Sequence, residues 1–162
     1  MGLARPVDPV HRVAYLMRRS PPKQERTLMT DSAVDLASHP LTNWTGPQGL
    51  PAFERLSEED FAAVIEAALD AHSAEIDRIA ANPATPDIEN TLAALELAGK
   101  PLSRASAIFW VRAGAHTSDT IQALERRLSP LMARHFSAIH MNEALFARID
   151  SLYREREKLG LD

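Results

Sequence analysis

The chain has 162 residues, 45% of them apolar and 25% charged, and carries a net charge of −4. That length suits one domain, or one domain with a tail, and is enough to bury a real core. With no cysteine in the chain, disulfides, thiol nucleophiles and thiolate metal sites are excluded.

No uninterrupted apolar run reaches the roughly 18 residues that a membrane-spanning helix needs. Residues 1–20 scatter Arg5, Arg12, Arg18 and Arg19 and hold no apolar core segment of the length a secretory leader needs. A cytoplasmic location is therefore expected. The charge is uneven: residues 1–28 hold six Lys and Arg against Asp8 and Glu25, a net of +4, which leaves −8 for the rest. Such a basic stretch can be an arm for nucleic acid or membrane. Its four prolines (Pro6, Pro9, Pro21 and Pro22) and the lack of a helical stripe favour a tail without packed structure. Met29 also opens Met-Thr-Asp-Ser-Ala-Val-Asp-Leu, which has the form of a natural protein start. Residues 1–39 are thus expected to be a tail, disordered or upstream of the natural start, and 40–162 a helical domain.

Residues 38–53 contain Pro40, Gly46, Pro47, Gly49 and Pro51, too many breakers for a helix. They predict an ordered, extended loop pinned to the helices by Trp44, Leu50 and Phe53. Packing is the main expectation for Trp44, with ligand stacking as the alternative. The next helix starts with Ser57 as cap, Asp60 three residues on, and a Leu56–Phe61 staple. Phe61, Val64, Ile65, Ala68, Leu69, His72, Ile76 and Ile79 then form a stripe at three- and four-residue spacing, which Asn82-Pro83 ends.

Thr85-Pro86 predicts a second helix with Ile88, Leu92, Leu95 and Ala98 on one face, stopped by Gly99 and Pro101. A third, over 102–113, carries Ile108, Phe109, Trp110 and Val111 in succession, so burial on several sides is expected. Gly114 closes it. Thr117 or Ser118 caps a fourth helix with a face of Ile121, Leu124, Leu128 and Leu131. Pro130 either kinks that helix or, with Ser129 as cap, begins another. Asn142 caps the last, striped by Leu145, Ile149, Leu152 and Leu159. Gly160 followed by Leu161 has the form of a Schellman ending. No segment alternates like a strand. The fold class expected is all-α, an irregular bundle of five to six amphipathic helices.

The polar residues compose no catalytic template. Zinc hydrolysis on a helix needs His-Glu-x-x-His; among His11, His39, His72, His116, His135 and His140, no two stand four apart and none precedes a glutamate. His135 and His140, five apart, project about 140° from each other around a helix. His72 with Glu75 and His140 with Glu143 do share helix faces. A di-iron bundle, however, needs Glu-x-x-His on two helices, and no Glu-x-x-His occurs. These pairs read as helix-surface neighbours. No Gly-x-Ser-x-Gly elbow, phosphate loop or dinucleotide fingerprint is present. Arg126, Arg127 and the basic residues of 154–158 are mixed with Glu125, Glu155 and Glu157, a solvated salt-bridged face; no nucleic-acid partner is expected.

The order of blocks carries further information. Gly-Leu-Pro-x-Phe at 49–53, the first amphipathic helix, Ile-Glu-Asn-Thr-Leu at 88–92 with Ala94-Leu95-Glu96, Ala-His-Thr-Ser at 115–118 and Leu-Phe-Ala-Arg-Ile at 145–149 follow one another along the chain. In this order they resemble the N-terminal region of the thimet oligopeptidase family of zinc peptidases, in its bacterial peptidyl-dipeptidase and oligopeptidase A branch. The resemblance spans about residues 40 to 162. It implies an N-terminal helical region forming the roof or side of a channel between two helical lobes, admitting short peptides. It further implies a His-Glu-x-x-His zinc site far downstream, with a third glutamate ligand on a later helix. No catalytic or metal residue transfers to this chain, no substrate-contacting residue can be named, and no cofactor is expected on it; zinc belongs to the full-length parent. The partners implied are the C-terminal catalytic region of the same polypeptide and short peptides. The chain alone should be inactive and should self-associate through exposed apolar surface. The alternative is a stand-alone helical module that binds a protein or peptide without catalysis.

Overall fold

The computed structural model describes residues 34–160; the expectations for residues 1–33 and for Leu161 lie outside them. Phe61, Val64, Ile65, Ala68 and Leu69 recur on one side of the longest apolar stripe and are all buried. They make helix α1, Asp60–Ala80, the element on which the others pack. Ser57 Oγ accepts the Glu59 N–H at 3.3 Å just ahead of the first regular turn, and Asn82 turns back onto the Ile79 carbonyl.

The segment after Pro86 departs from the expected amphipathic α-helix. Residues Ile88–Ala93 are wound as a π-turn, followed by a single α-turn, α2, Ala94–Leu97. Its cap is Asp87 instead of Thr85: Asp87 Oδ1 accepts the Asn90 N–H at 2.6 Å while Asn90 Oδ1 accepts the Asp87 N–H at 3.1 Å. This reciprocal box satisfies two free amides at once, which a lone threonine cap cannot do. The extra residue of a π-turn turns Thr91 fully inward and leaves Ile88 and Leu97 exposed.

Helix α3 is Lys100–Ala115, two residues longer at each end than expected, with Gly114 inside it. Helix α4 is one continuous element, Asp119–His140, with Pro130 inside it on the exposed side. Ser118 is its cap, accepting the Ile121 N–H at 3.1 Å and donating to Glu58 Oε2 at 2.8 Å. Helix α5, Glu143–Arg154, is capped by Asn142 through the Leu145 N–H. Gly160 takes the left-handed conformation expected of it, φ 66°. The described residues are all-α without strands. Four helices are long, slightly below the expected five to six because 88–97 is only a π-turn with one α-turn.

The larger core joins α1, α3 and α4 through Phe61, Ile65, Leu102, Phe109, Ile121 and Leu128. Phe61 and Phe109 meet edge-to-face with centroids 5.4 Å apart, a contact worth about 0.5–1.5 kcal/mol beyond the area it buries. A smaller cluster of Ile76, Ile79 and Leu145 ties the far end of α1 to α5. Ion pairs knit the rim: Arg127 reaches Glu66 at 2.7 Å and Arg154 reaches Asp150 at 2.8 Å.

The loop before α1 differs in its anchors. Leu41 is fully buried, whereas Leu50 and Phe53 are each 51% exposed and sit at two short 3-10 turns, Pro47–Gly49 and Phe53–Arg55. Phe53 stands beside Ile108, Val111 and Arg112 of α3 with half of its surface open. Residues 34–39, expected in the tail, lie against the core through Val34 and Leu36. The Thr42 hydroxyl donates to the Leu36 carbonyl at 2.6 Å. Arg104 of α3 then clasps the loop, donating to the Thr42 carbonyl at 2.9 Å with its guanidinium 5.2 Å from the Trp44 ring centre. Trp44 is thus held by packing.

Candidate functional site

Histidine 72 occupies a core-stripe position of α1, and His135 follows Leu128 and Met132 on the inner side of α4. Packing those two faces together brings the rings into contact: His135 Nε2 lies 3.0 Å from His72 Nδ1, and the ring centres are 4.9 Å apart. The Ser73 hydroxyl lies 3.3 Å from the other ring nitrogen, His135 Nδ1. A relay Ser73–His135–His72 results, in which one proton lies between the two imidazoles. Burial lowers the pKa of both histidines; Glu75 opposes this at His72, and the neighbouring His72 charge deepens it at His135. Both rings are held toward the neutral form.

Gly99 closes the floor beneath His72. Its left-handed φ of 68° begins α3, and its N–H donates to Glu75 Oε2 at 2.7 Å. A Cβ at this position would stand 2.8 Å from the His72 ring, so only glycine fits both the backbone and the space. Glu75 is therefore engaged as a backbone acceptor and does not share a ligand with His72. The second expected pair is also separate: His140 Nδ1 donates to the Phe136 carbonyl at 2.7 Å, while Glu143 opens α5.

Above the relay, a groove of about 430 Å³ runs between α3 and α4. Leu102, Trp110, Met132 and Phe136 wall it, and His72 and Ser106 supply polar atoms. Ser106 Oγ is buried without a hydrogen-bond partner among the described residues. Burial on several sides, expected for 108–111, holds for Ile108 and Phe109 but not for Trp110 or Val111, which are 40% and 62% exposed. Among the described helices, α1 and α4 make the main contacts with α3.

Sequence reading missed the His72–His135 contact, whose members are 63 residues apart. The available signal was a histidine on each of two apolar stripes. It also missed Arg148, which is 6% exposed on α5. Its Nη1 donates to the carbonyls of Asn82 and Ala84, and its Nη2 to Asn90 Oδ1 and Thr91 Oγ1, at 2.6–3.1 Å. Arg148 thereby locks the π-turn onto α5.

A zinc ion needs three or four donors aimed at one point. Among the described residues no group of three or more His, Asp or Glu side chains could hold a metal. The two apposed imidazoles spend their facing nitrogens on each other. The residues do not fit zinc, and no chemical step is derived through one. Among the described residues no helix is long and apolar enough to cross a membrane.

Fold and site define an all-helical segment whose described chemistry is that of packing and apolar contact. No family model matches the chain. Over 122 residues it is 36% identical to the dipeptidyl carboxypeptidase of Escherichia coli (strain K12), a match covering 75% of this chain and 18% of that protein. Over 116 residues it is 37% identical to the dipeptidyl carboxypeptidase of Salmonella typhimurium, covering 72% of this chain and 17% of that protein. The family resemblance is borne out: the chain carries a segment related to the dipeptidyl carboxypeptidases of the thimet oligopeptidase family. It spans less than a fifth of the length of these curated relatives.

Proposed function

We propose that this chain is the N-terminal helical part of a zinc-dependent oligopeptidase of the peptidyl-dipeptidase type, acting as channel roof and substrate gate. The observation that carries the reading is 36–37% identity to two dipeptidyl carboxypeptidases over about three-quarters of the chain. The zinc site, the cleavage of short peptides and the C-terminal catalytic region belong to the proposed parent. The chain's own part is steric. Rigid helices such as α1 and α3, packed through Phe61 and Phe109, can exclude folded proteins while leaving room for an extended peptide.

A chimera tests this. The matching segment of the E. coli relative is replaced by residues 34–160 of this chain, and cleavage of a quenched short peptide is compared with cleavage of an unfolded protein. Retained turnover of the short peptide with the same length selectivity is the expected result. Loss of the length selectivity with turnover intact overturns the gating role. Zinc-dependent peptide cleavage by the chain alone overturns the assignment of catalysis elsewhere.

The exposed Trp110, Val111 and Phe136 favour a second reading, a stand-alone helical module that binds a peptide or protein without catalysis. A native reading frame that closes at codon 162 supports that reading; one continuing to His-Glu-x-x-His supports the first.

A further inference from the structure

We propose that Ser73, His135 and His72 form a serine–histidine–histidine triad that transfers a short acyl group from an activated ester to water. This goes beyond the gating role and does not depend on it. Ser73 is exposed on α1, with its hydroxyl 3.3 Å from His135 Nδ1. That separation is slightly longer than in a working nucleophile–base pair, as is common in unliganded sites. The opposite nitrogen of the same ring, Nε2, lies 3.0 Å from His72 Nδ1. A nucleophile thus touches a base, and a third group orients the base, the arrangement that activates a hydroxyl whatever fold carries it. His135 Nδ1 accepts the Ser73 proton in the tautomer whose Nε2–H donates to His72 Nδ1. Burial holds both rings toward the neutral form that a general base needs, and Glu75 favours positive charge at His72 once the proton has moved.

Ser73 and His135 both line a recess of about 140 Å³ between α1 and α4. Ile76 and Ile139 make its apolar part, Asp77 and Asn142 its polar part. It is smaller than the roughly 300–1,000 Å³ of ordinary ligand pockets, which limits the acyl group to a short chain. The Asp77 carboxylate disfavours an anionic one. Ser73, Ile76, Ala138 and Ile139 lie inside α1 and α4, so their N–H groups are spent on helix bonds and supply no oxyanion hole. Asn142 brings a side-chain amide, whose Oδ1 already accepts the Leu145 N–H. A missing oxyanion donor costs about 100- to 1,000-fold in rate. Amides, with their poor leaving groups, are thereby out of reach, and esters of an acidic phenol are the class that remains. In the first step Ser73 Oγ attacks the ester carbonyl carbon while its proton passes to His135 Nδ1. The bond from that carbon to the phenol oxygen breaks, and the phenol leaves with the proton. Water then attacks the acyl-serine; His135 takes a proton from the water and returns it to Ser73 Oγ as the free acid departs.

The test incubates the full chain with 4-nitrophenyl acetate, follows nitrophenolate release and locates the acetyl group by peptide mass spectrometry. Acetylation of Ser73 ahead of every other hydroxyl is expected. Ser73→Ala should slow release about tenfold, the remainder coming from exposed imidazoles such as His140. Alanine suits an exposed helical position, so this variant should fold at least as well as the parent. His135→Gln removes the base and should lower Ser73 acetylation about 100-fold. Phenylmethanesulfonyl fluoride should label Ser73 in the parent chain and not in His135→Gln. His72 is a positioning residue. His72→Gln keeps an acceptor for His135 Nε2–H and should retain most of the rate, whereas His72→Leu, compared at equal helicity, should lose about tenfold. The corresponding amide, 4-nitroacetanilide, should stay intact. The proposal is overturned by acetyl groups on lysines or histidines without Ser73, by a release rate that Ser73→Ala or His135→Gln leaves unchanged, or by a Ser73 that the sulfonyl fluoride does not label. Equal losses in His72→Gln and His72→Leu overturn the part given to His72, and cleavage of the anilide overturns the restriction to esters.

Discussion

At Gly99 two constraints coincide: a left-handed backbone with φ 68° and a ring 2.8 Å from where a Cβ would stand. Gly99→Ala should cost about 1–3 kcal/mol, part from the backbone and part from the clash. Urea unfolding measures the total. Combining it with His72→Ala should return the clash portion, so the double variant loses less than the sum of the singles. Arg148 is a different kind of residue, a buried cation held by four neutral oxygens on the 82–91 segment. Arg148→Met strands those acceptors and should cost about 2–4 kcal/mol. Arg148→Lys should restore less than half, because an ammonium cannot fork to two carbonyls and two side chains. A lysine variant as stable as the parent contradicts that reading.

Among the elements, α4 holds a proline in its interior, at the exposed position 130. Proline there lacks an N–H and crowds the carbonyl one turn back, which is tolerable only where water can reach that carbonyl. Because the helix runs unbroken from Asp119 to His140, Pro130→Ala should raise stability by about 1–3 kcal/mol. A change near zero in the thermal midpoint would instead indicate two helices meeting at Ser129. The π-turn is the counterexample to simple periodicity. Ile88, Leu92 and Leu95 promise a regular amphipathic helix, yet the Asp87–Asn90 box and the pull of Arg148 on Thr91 reset the winding. The box is a local pattern, but the Arg148 hydrogen bonds come from α5 and no local spacing shows them.

Across the whole molecule, the seam between α1 and α4 carries its own pH dependence. Both histidines bind protons less readily when folded than at the ordinary pKa of 6.5. Below that value the unfolded chain takes up more protons than the native one, so stability rises with pH there. The seam should be at full strength above about pH 7 and weaken as pH falls through 6.5 and below. Urea midpoints between pH 8 and pH 5 measure it. His135→Gln, which cannot titrate, should flatten the part of the curve nearest 6.5 and leave the carboxylate-driven loss at lower pH. An unchanged slope would remove the pair from the account.

The helices themselves were legible along the chain, because their determinants are local. The Phe61–Ile79 stripe, the Ser118 and Asn142 caps and the breakers at Pro83 and Gly99 each act within a few residues. The same blocks carried the family resemblance, since that too is a linear property. What depended on tertiary structure was which faces meet. Leu41, not Phe53, anchors the loop because it is the side chain that reaches the α1–α3 core. His72 finds His135 across 63 residues, and Arg148 finds Asn90 across 58. Trp110 stays half open although its neighbours Ile108 and Phe109 are buried. A linear pattern specifies how apolar a helix is on each side. Only the arrangement of its neighbours decides which of those sides is covered, since burial is a property of the space between elements and not of any one of them.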